Sequence, residues 1–230
     1  MLDAVQALNG VDTRVFDASS VVASAHDTSD YISVPDAHLL FNGEFKRVGT
    51  SDLKIVGSDG KSFFIENYFS AEKHKHLMSP EGALLTANVV DALAGPLAPG
   101  QEAQAGAQPA TSQPVIGRVE ALTGSATVVR NGVSVVLNQG DLVRKGDVVQ
   151  TSGSSSVSIT LVDGSTFSLS PNARMVLNDF VYDANASNNS AVINLVQGTF
   201  GFVAGQVAKT GDIRLETPVD TMSIRGTTVL

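Results

Sequence analysis

Three short stretches hold residue types that bind ligands in other proteins. In GSDGKS, residues 57 to 62, Gly60, Lys61 and Ser62 stand in the order that closes a phosphate-binding loop. In such a loop backbone N–H groups cradle the phosphate, the Lys neutralises it and the hydroxyl holds magnesium. The leading glycine of that loop would fall at position 55, which is Ile55, and the flanks alternate as two strands rather than as a strand and a helix. The stretch is therefore read as a hairpin turn. In EKHKH, His74 and His76 stand two apart, which on a strand points both imidazoles to one face, with Glu72 available as a third metal ligand. No other histidine lies near in sequence, so the run is read as a solvated loop and no metal is assigned. Repeated Gly140-Asp141, Gly146-Asp147 and Asp163-Gly164 raise calcium, for which Asp carboxylates are the usual ligands. Neither an EF-hand loop nor the glycine-rich nonapeptide of calcium β-rolls is present, and the pairs read as turns in which Gly supplies a positive φ and Asp binds neighbouring N–H groups. No G-x-S-x-G elbow, H-E-x-x-H helix or Ser, His and Asp grouping stands out, and the chain is read as a non-enzyme without a cofactor.

The elements that carry these residues fall into zones. GPLAPGQEAQAGAQPATSQP, residues 95 to 114, is a flexible linker by composition. Before it stand 7 Lys/Arg and 13 Asp/Glu, after it 8 and 9, and all four His precede it, which predicts two units of different character. In the first, Asn42-Gly43 between apolar segments predicts a type I′ hairpin turn. A second hairpin runs from Leu53 and Ile55 through Ser58-Asp59-Gly60 to Phe63, Ile65 and Asn67, with Phe64, Glu66 and Tyr68 on the other face. Thr86 as N-cap, Val89, Val90 and Leu93 at helical spacing, and Gly95-Pro96 as a stop predict a short helix. Residues 1 to 30 show no period and are read as a loosely ordered leader. After the linker, short strands recur every eight to twelve residues with Gly, Asn and Asp at the corners, the pattern of a sandwich, barrel or β-roll. VYDANASNNSAV, residues 181 to 192, is the one long polar loop there, with glycosylation-type sequons at Asn185 and Asn188.

Composition bounds the function. Aromatics are 6%, Trp is absent, Gly numbers 21, and 43% of the residues are hydrophobic, so a mainly β protein with a buried core is expected. A net charge of −8 leaves no basic stripe for phosphates or an anionic surface, and nucleic acid is not an expected partner. The absence of Cys removes disulfides and thiol chemistry together. Asp3 stands where a secretory signal carries Lys or Arg, and no uncharged apolar stretch reaches the roughly 18 to 20 residues of a membrane helix.

The region from VIGRVEALTGSATVV through IRLETPVDTMSIRGT closely resembles the FecR-type domain over nearly all of residues 115 to 230. The residues that carry the likeness are Gly117 to Val119, Gly124 to Val128, Gly140-Asp141 and Gly146-Asp147 with Thr151, and Asp163-Gly164-Ser165. They continue through Pro171-Asn172, Leu195 and Gly198, Thr217-Pro218, and Arg225-Gly226-Thr227. The resemblance implies an all-β, extracytoplasmic module used in sensing or in surface proteins. Members that regulate iron uptake place an anti-sigma segment and one membrane helix ahead of this domain, and no such helix lies before residue 115 here. DLKIVGSDGKSFFIENYFS, residues 52 to 70, is similar to the prefix repeats of giant Bap-type adhesins, whose relatives use type I secretion with a C-terminal signal. No dialanine-glycine site is present, only Leu93-Ala94-Gly95, so release by a protease is not assigned.

The expectation is therefore a leader at 1–30, a β-hairpin-rich unit with a short helix at 31–94, a linker at 95–114 and an all-β FecR-like sandwich or β-roll at 115–230. The final MSIRGTTVL reads as the middle of an apolar strand, so the chain is expected to be the front of a longer surface protein of adhesin type. Its partners would then be other proteins of the cell envelope or secretion apparatus. The alternatives are a periplasmic sensory module and, from another class, a hydrolase without a visible motif. Turn-forming residues at the family positions shape the fold, and Arg225, in an apolar strand before Gly226, is expected to lock the sheet through a carboxylate or carbonyls if buried.

Overall fold

The computed structural model describes residues 14–17, 20–24, 29–70, 73–95 and 113–226. They fall in two compact units, Met1–Ala107 and Gln108–Leu230, which are taken in turn.

The first unit opens with strands β1 (Arg14–Asp17), β2 (Ser20–Ser24) and β3 (Tyr31–Ser33). Two of these lie in the stretch read as a loosely ordered leader, and for the residues of these two strands that reading is corrected. Strand β2 runs parallel to a strand some forty residues later, so the partner that fixes it is invisible to local periodicity. Helix α1 (Ala37–Asn42) follows, started by Asp36, whose carboxylate accepts from His38 N–H at 2.8 Å, and it buries Leu39 and Leu40. The hairpin turn expected at Asn42-Gly43 is therefore absent. Gly43 has φ −65° and serves as the C-cap. Glycine is needed there for space, since a Cβ would strike the Leu39 carbonyl and come within 2.6 Å of an Ile55 methyl.

Strands β4 (Glu44–Val48), β5 (Asp52–Val56) and β6 (Ser62–Glu66) form an antiparallel set, and the sheet order is β1-β2-β6-β5-β4. The β5–β6 hairpin carries the alternation expected of it, with Leu53, Ile55, Phe63 and Ile65 buried. Its end differs: Asn67 takes φ 57° and the chain turns into a 3-10 segment, Tyr68–Ser70, that buries the Tyr68 ring. Strands β7 (His76–Met78) and β8 (Leu84–Leu85) join β3 in a small sheet of order β3-β7-β8. Helix α2 (Ala87–Ala94) then buries Val89, Val90, Leu93 and Ala94 and ends on Gly95 at φ 69°, as the spacing predicts.

The second unit is two sheets around one core. Its strands are β9 (Val115–Thr123), β10 (Ala126–Arg130), β11 (Val133–Val136), β12 (Leu142–Arg144), β13 (Val148–Thr151), β14 (Ser156–Leu161) and β15 (Thr166–Leu169). They continue with β16 (Arg174–Val181), β17 (Asn189–Gln197) and β18 (Phe200–Val203), then the short helix α3 (Val207–Thr210), β19 (Gly211–Glu216) and β20 (Thr221–Arg225). One sheet has the order β11-β10-β13-β16-β17-β19-β20 and the other β12-β9-β14-β15-β18. Val119, Val128, Ile159, Phe167, Met175, Ile193 and Ile213, drawn from both, meet in a single core.

Two expected strands split. LVRKGDVVQT gives β12 to one sheet and β13 to the other, and AVINLVQGTFGFVAG likewise divides between β17 and β18. Helix α3, not foreseen, returns the chain from β18 so that β19 lies parallel to β17. The register brings Gly211 against Asn189, where an added Cβ would overlap the Asn189 carbonyl.

Candidate functional site: turn locks and open strand edges

The doubled Gly-Asp sits where the chain changes sheets. Strand β12 is three residues long, and the pairs Gly140-Asp141 and Gly146-Asp147 bracket it on entry and exit. Both glycines take left-handed backbone, φ 89° and 83°. The two aspartates differ in their surroundings. The Asp141 carboxylate accepts from Asn138 N–H at 2.8 Å, while its backbone carbonyl accepts from Val119 N–H at 2.9 Å, which holds the turn to β9.

Asp147 is 1% exposed. Its carboxylate accepts from Arg130 Nε at 2.8 Å, Arg130 Nη2 at 2.7 Å and Arg144 N–H at 2.8 Å. Those hydrogen bonds hold the Arg130 guanidinium above its ordinary pKa, against partial desolvation. Arg130 Nη2 also donates to the Leu142 carbonyl at 2.9 Å, so one side chain of β10 ties the second sheet's edge strand to the first sheet.

A second lock surrounds the DGS turn. Gly164 has φ 84°, and the buried Asp163 carboxylate accepts from Ser165 N–H at 2.9 Å, Ser165 Oγ at 2.7 Å and Val207 N–H at 3.0 Å. The last of these joins a hairpin tip to the start of α3. Thr151 Oγ1 donates to the Ser170 carbonyl at 2.6 Å and accepts from Ala173 N–H at 2.9 Å, closing the turn at Pro171-Asn172. Thr217 closes the β19–β20 turn, its N–H donating to the Asp220 carbonyl at 2.8 Å, with Pro218 inside that turn. Gly226, φ 65°, donates its N–H to the Ala208 carbonyl at 2.7 Å. Thr227 lies outside the described residues.

Arg225 does not meet the condition of burial. It stands opposite Asp212 on β20 and is exposed, so no buried cation has to be satisfied and the conditional role as a sheet lock does not arise. The reason is that β20 is an edge strand. Arg130, which the motif pattern did not mark, holds the buried carboxylate instead; an Arg ending a Val-rich strand next to an Asn-Gly turn was its only trace in sequence.

Edges are the other feature that strand counting does not reveal. β11 and β20 bound one sheet, β12 and β18 the other, and each edge shows apolar side chains to solvent. Val136 is 61% exposed on β11, Met222 60% on β20 and Val203 65% on β18, and Leu142 is exposed on β12. Among the described residues, β11, β18 and β20 also present backbone edges that an additional strand could pair, whereas on β12 the Leu142 carbonyl and the Arg144 N–H are already taken by Arg130 and Asp147.

In the first unit, Ser58-Asp59-Gly60 forms the expected turn, closed by Lys61 N–H to Asp59 at 3.1 Å and by an exposed ion pair between the same residues at 2.9 Å. That ion pair holds the Asp59 carboxyl below its ordinary range and lifts the Lys61 amine. The solvated-loop reading of His74 and His76 is corrected: both are half-buried, and both bind helix α2, His74 through Asp91 and His76 through Ala87 N–H. Local sequence hid this because the helix lies more than ten residues downstream. Among the described residues no group of three or more His, Asp and Glu is gathered as a metal site, and Glu72 lies outside them. No helix among the described residues is long and apolar enough to cross a membrane. The histidines all precede the linker, so the second unit's hydroxyls have no imidazole of that unit beside them.

Comparison with known proteins agrees with the second unit's motifs. The model of the family described as FecR protein matches residues 147–230. The match begins at Asp147, in mid-fold: β9 to β12 complete both sheets, so the folded body is larger than the matched stretch. A solved structure described as a cell surface anchoring domain is 39% identical over 26% of this chain and 82% of its own, with a TM-score of 0.26. No curated protein matches the chain.

Proposed function

We propose that this chain is a non-enzymatic binding module of the bacterial cell envelope, and that it forms the front of a large surface protein of adhesin type. The observation that carries the reading is the FecR-type match at residues 147–230, which falls on a β body whose turns are locked and whose edge strands β11, β18 and β20 are open among the described residues. Locked corners such as Asp147 with Arg130 fix the strand geometry. Partners then add through edge backbone and exposed valines, a mode that needs neither cofactor nor catalytic group. The partners are other envelope or secretion-apparatus proteins. The family match equally supports a sensory role, in which the same edges receive a transporter and the signal passes inward.

A photo-crosslinking amino acid at Val136 or Met222 in the producing cell tests this reading. Adducts with envelope proteins at these edges, and none from the exposed turn residue Asn172, are expected. Recovery of the protein only from the cytosol, with no adduct, overturns it. Loss of adhesion on deletion of the second unit, against loss of transcriptional response with adhesion intact, separates the two roles.

A further inference from the structure

Helix α2 begins with a residue of capping type that does not cap. Thr86 occupies the N-cap position, yet its side chain makes no hydrogen bond to the helix. The N–H of Ala87 is received instead by His76 Nδ1 from β7, at 3.0 Å. A backbone N–H can only donate, so Nδ1 of His76 holds a lone pair and the ring is the neutral tautomer protonated on Nε2. Two residues earlier the relation is reversed. His74 Nδ1 lies 2.8 Å from both oxygens of Asp91, in the middle of the same helix, and it donates because an ionised carboxylate only accepts. Tyr68 and Phe69 pack on the His74 ring with centroids 5.6 and 5.4 Å away.

From this arrangement we propose that His76 is a proton-operated latch on the first turn of α2. A second proton on the His76 ring fills the lone pair that receives Ala87 N–H. It sets donor against donor and places a positive charge at the positive end of the helix. The same proton on His74 leaves its donor in place and strengthens the pair with Asp91. Acidification therefore opens the helix at its N-terminal turn, Ala87 to Val90, while Asp91 keeps the middle tethered. The far end stays fixed as well, because Arg47 Nε donates to the Gly95 carbonyl at 2.6 Å.

The charged and titratable groups around the two rings do not cancel this. From β3 and the residue before it come Tyr31, opposite His76 in register, and Asp30, whose carbonyl accepts from His76 N–H. Lys75 lies between the two histidines, Asp91 comes from α2, Tyr68 from the 3-10 segment and Arg47 from β4, while β8 brings only leucines. Asp91 holds His74 at the middle of the helix and Arg47 binds its C-terminal end, while His76 receives the N–H of its first residue.

Amide hydrogen exchange of the whole chain, read by NMR as protection factors at about pH 7.5 and about pH 5.5, tests the latch. Protection at Ala87 to Val90 should fall about fivefold, the effect of losing one helix cap, while Leu93 is unchanged. His76→Asn, whose side-chain oxygen replaces the Nδ1 acceptor without titrating, should keep its protection at both pH values; His76→Ala should lack it at both. The nitrogen shifts of His76 should show the Nε2–H tautomer at pH 7.5. Equal acid loss in His76→Asn, unchanged protection in the parent, or an Nδ1–H tautomer would each overturn the proposal, and the tautomer is readable even if the alanine variant fails to fold.

Discussion

Replacing Asp147 by Ala should unfold the second unit at a much lower temperature than replacing Asp141, although the two stand in identical Gly-Asp pairs. Asp147→Ala removes an acceptor of three hydrogen bonds, two of them from Arg130 and one from the Arg144 backbone. Breaking a fully buried pair by deleting one partner costs about 3 to 5 kcal/mol. The Arg130 side chain keeps 30% of its surface in water and rehydrates in part, which places the loss near the lower end, about 3 kcal/mol. At about 4 °C per kcal/mol for a domain of this size, the transition should fall by about 12 °C. Asp141→Ala frees one backbone N–H at an exposed turn, worth about 0.5 to 1 kcal/mol, or about 3 °C. Calorimetry of the whole chain reads both, and the endotherm that moves belongs to the second unit. Arg130→Ala combined with Asp147→Ala should cost at least about 1 kcal/mol less than the sum of the two, since neither then leaves a stranded partner. If the two single alanine variants melt within about 3 °C of each other, burial of the Asp147 carboxylate is not what distinguishes these corners.

Three further outcomes follow from the same geometry. The Asp59 carboxyl should titrate below a model aspartate by NMR and return toward it in Lys61→Ala; its small stabilising effect is present above the usual carboxylate range and is lost as pH falls through the lowered value. Burial pushes the Tyr68 phenol up, so folded protein should show no Tyr68 ionisation in the alkaline absorbance difference from Tyr68→Phe, and the first unit should lose stability as pH rises past about 10, where the unfolded phenol ionises. Gly211→Ala should prevent β19 from closing on β17, because the new methyl meets the Asn189 carbonyl; loss of exchange protection at Ile213 and Leu215 is the readout, and native-like protection there would contradict the register.

Sequence alone reveals what is set by neighbours in the chain. The β5–β6 hairpin, helix α2 with its Gly95 stop, and the succession of strands after the linker all follow from alternation, spacing and turn residues within about fifteen positions. What it hides is set by distant partners. Strand β2 is fixed by β6, His76 by Ala87, and Asp147 by Arg130, contacts that no local period encodes. Asn42-Gly43 shows the converse failure: a pair suited to a hairpin is used to end a helix, because the packing of Ile55 leaves no room for a Cβ. The glycines and aspartates of the second unit were legible as turn residues, yet which turns change sheets was not, since β12 and β13 read as one strand until their separate partners are known.

That change of sheet recurs at β9 to β10, β11 to β12, β12 to β13, β13 to β14, β15 to β16, β17 to β18 and β18 to β19, so the chain weaves rather than stacks. β9 gains a neighbour only when β12 and β14 arrive, and β17 gains its parallel partner only after an excursion through the opposite sheet. No N-terminal portion of the sandwich can complete its hydrogen bonding as the chain lengthens. Loop-closure entropy must be met before most native contacts form, which places folding on the slow, millisecond-to-second scale of all-β topologies. A stretch of this polypeptide that ends at β16 still lacks four strands of its sheets, β17 to β20, and the pair of sheets stays incomplete until the last of them has followed.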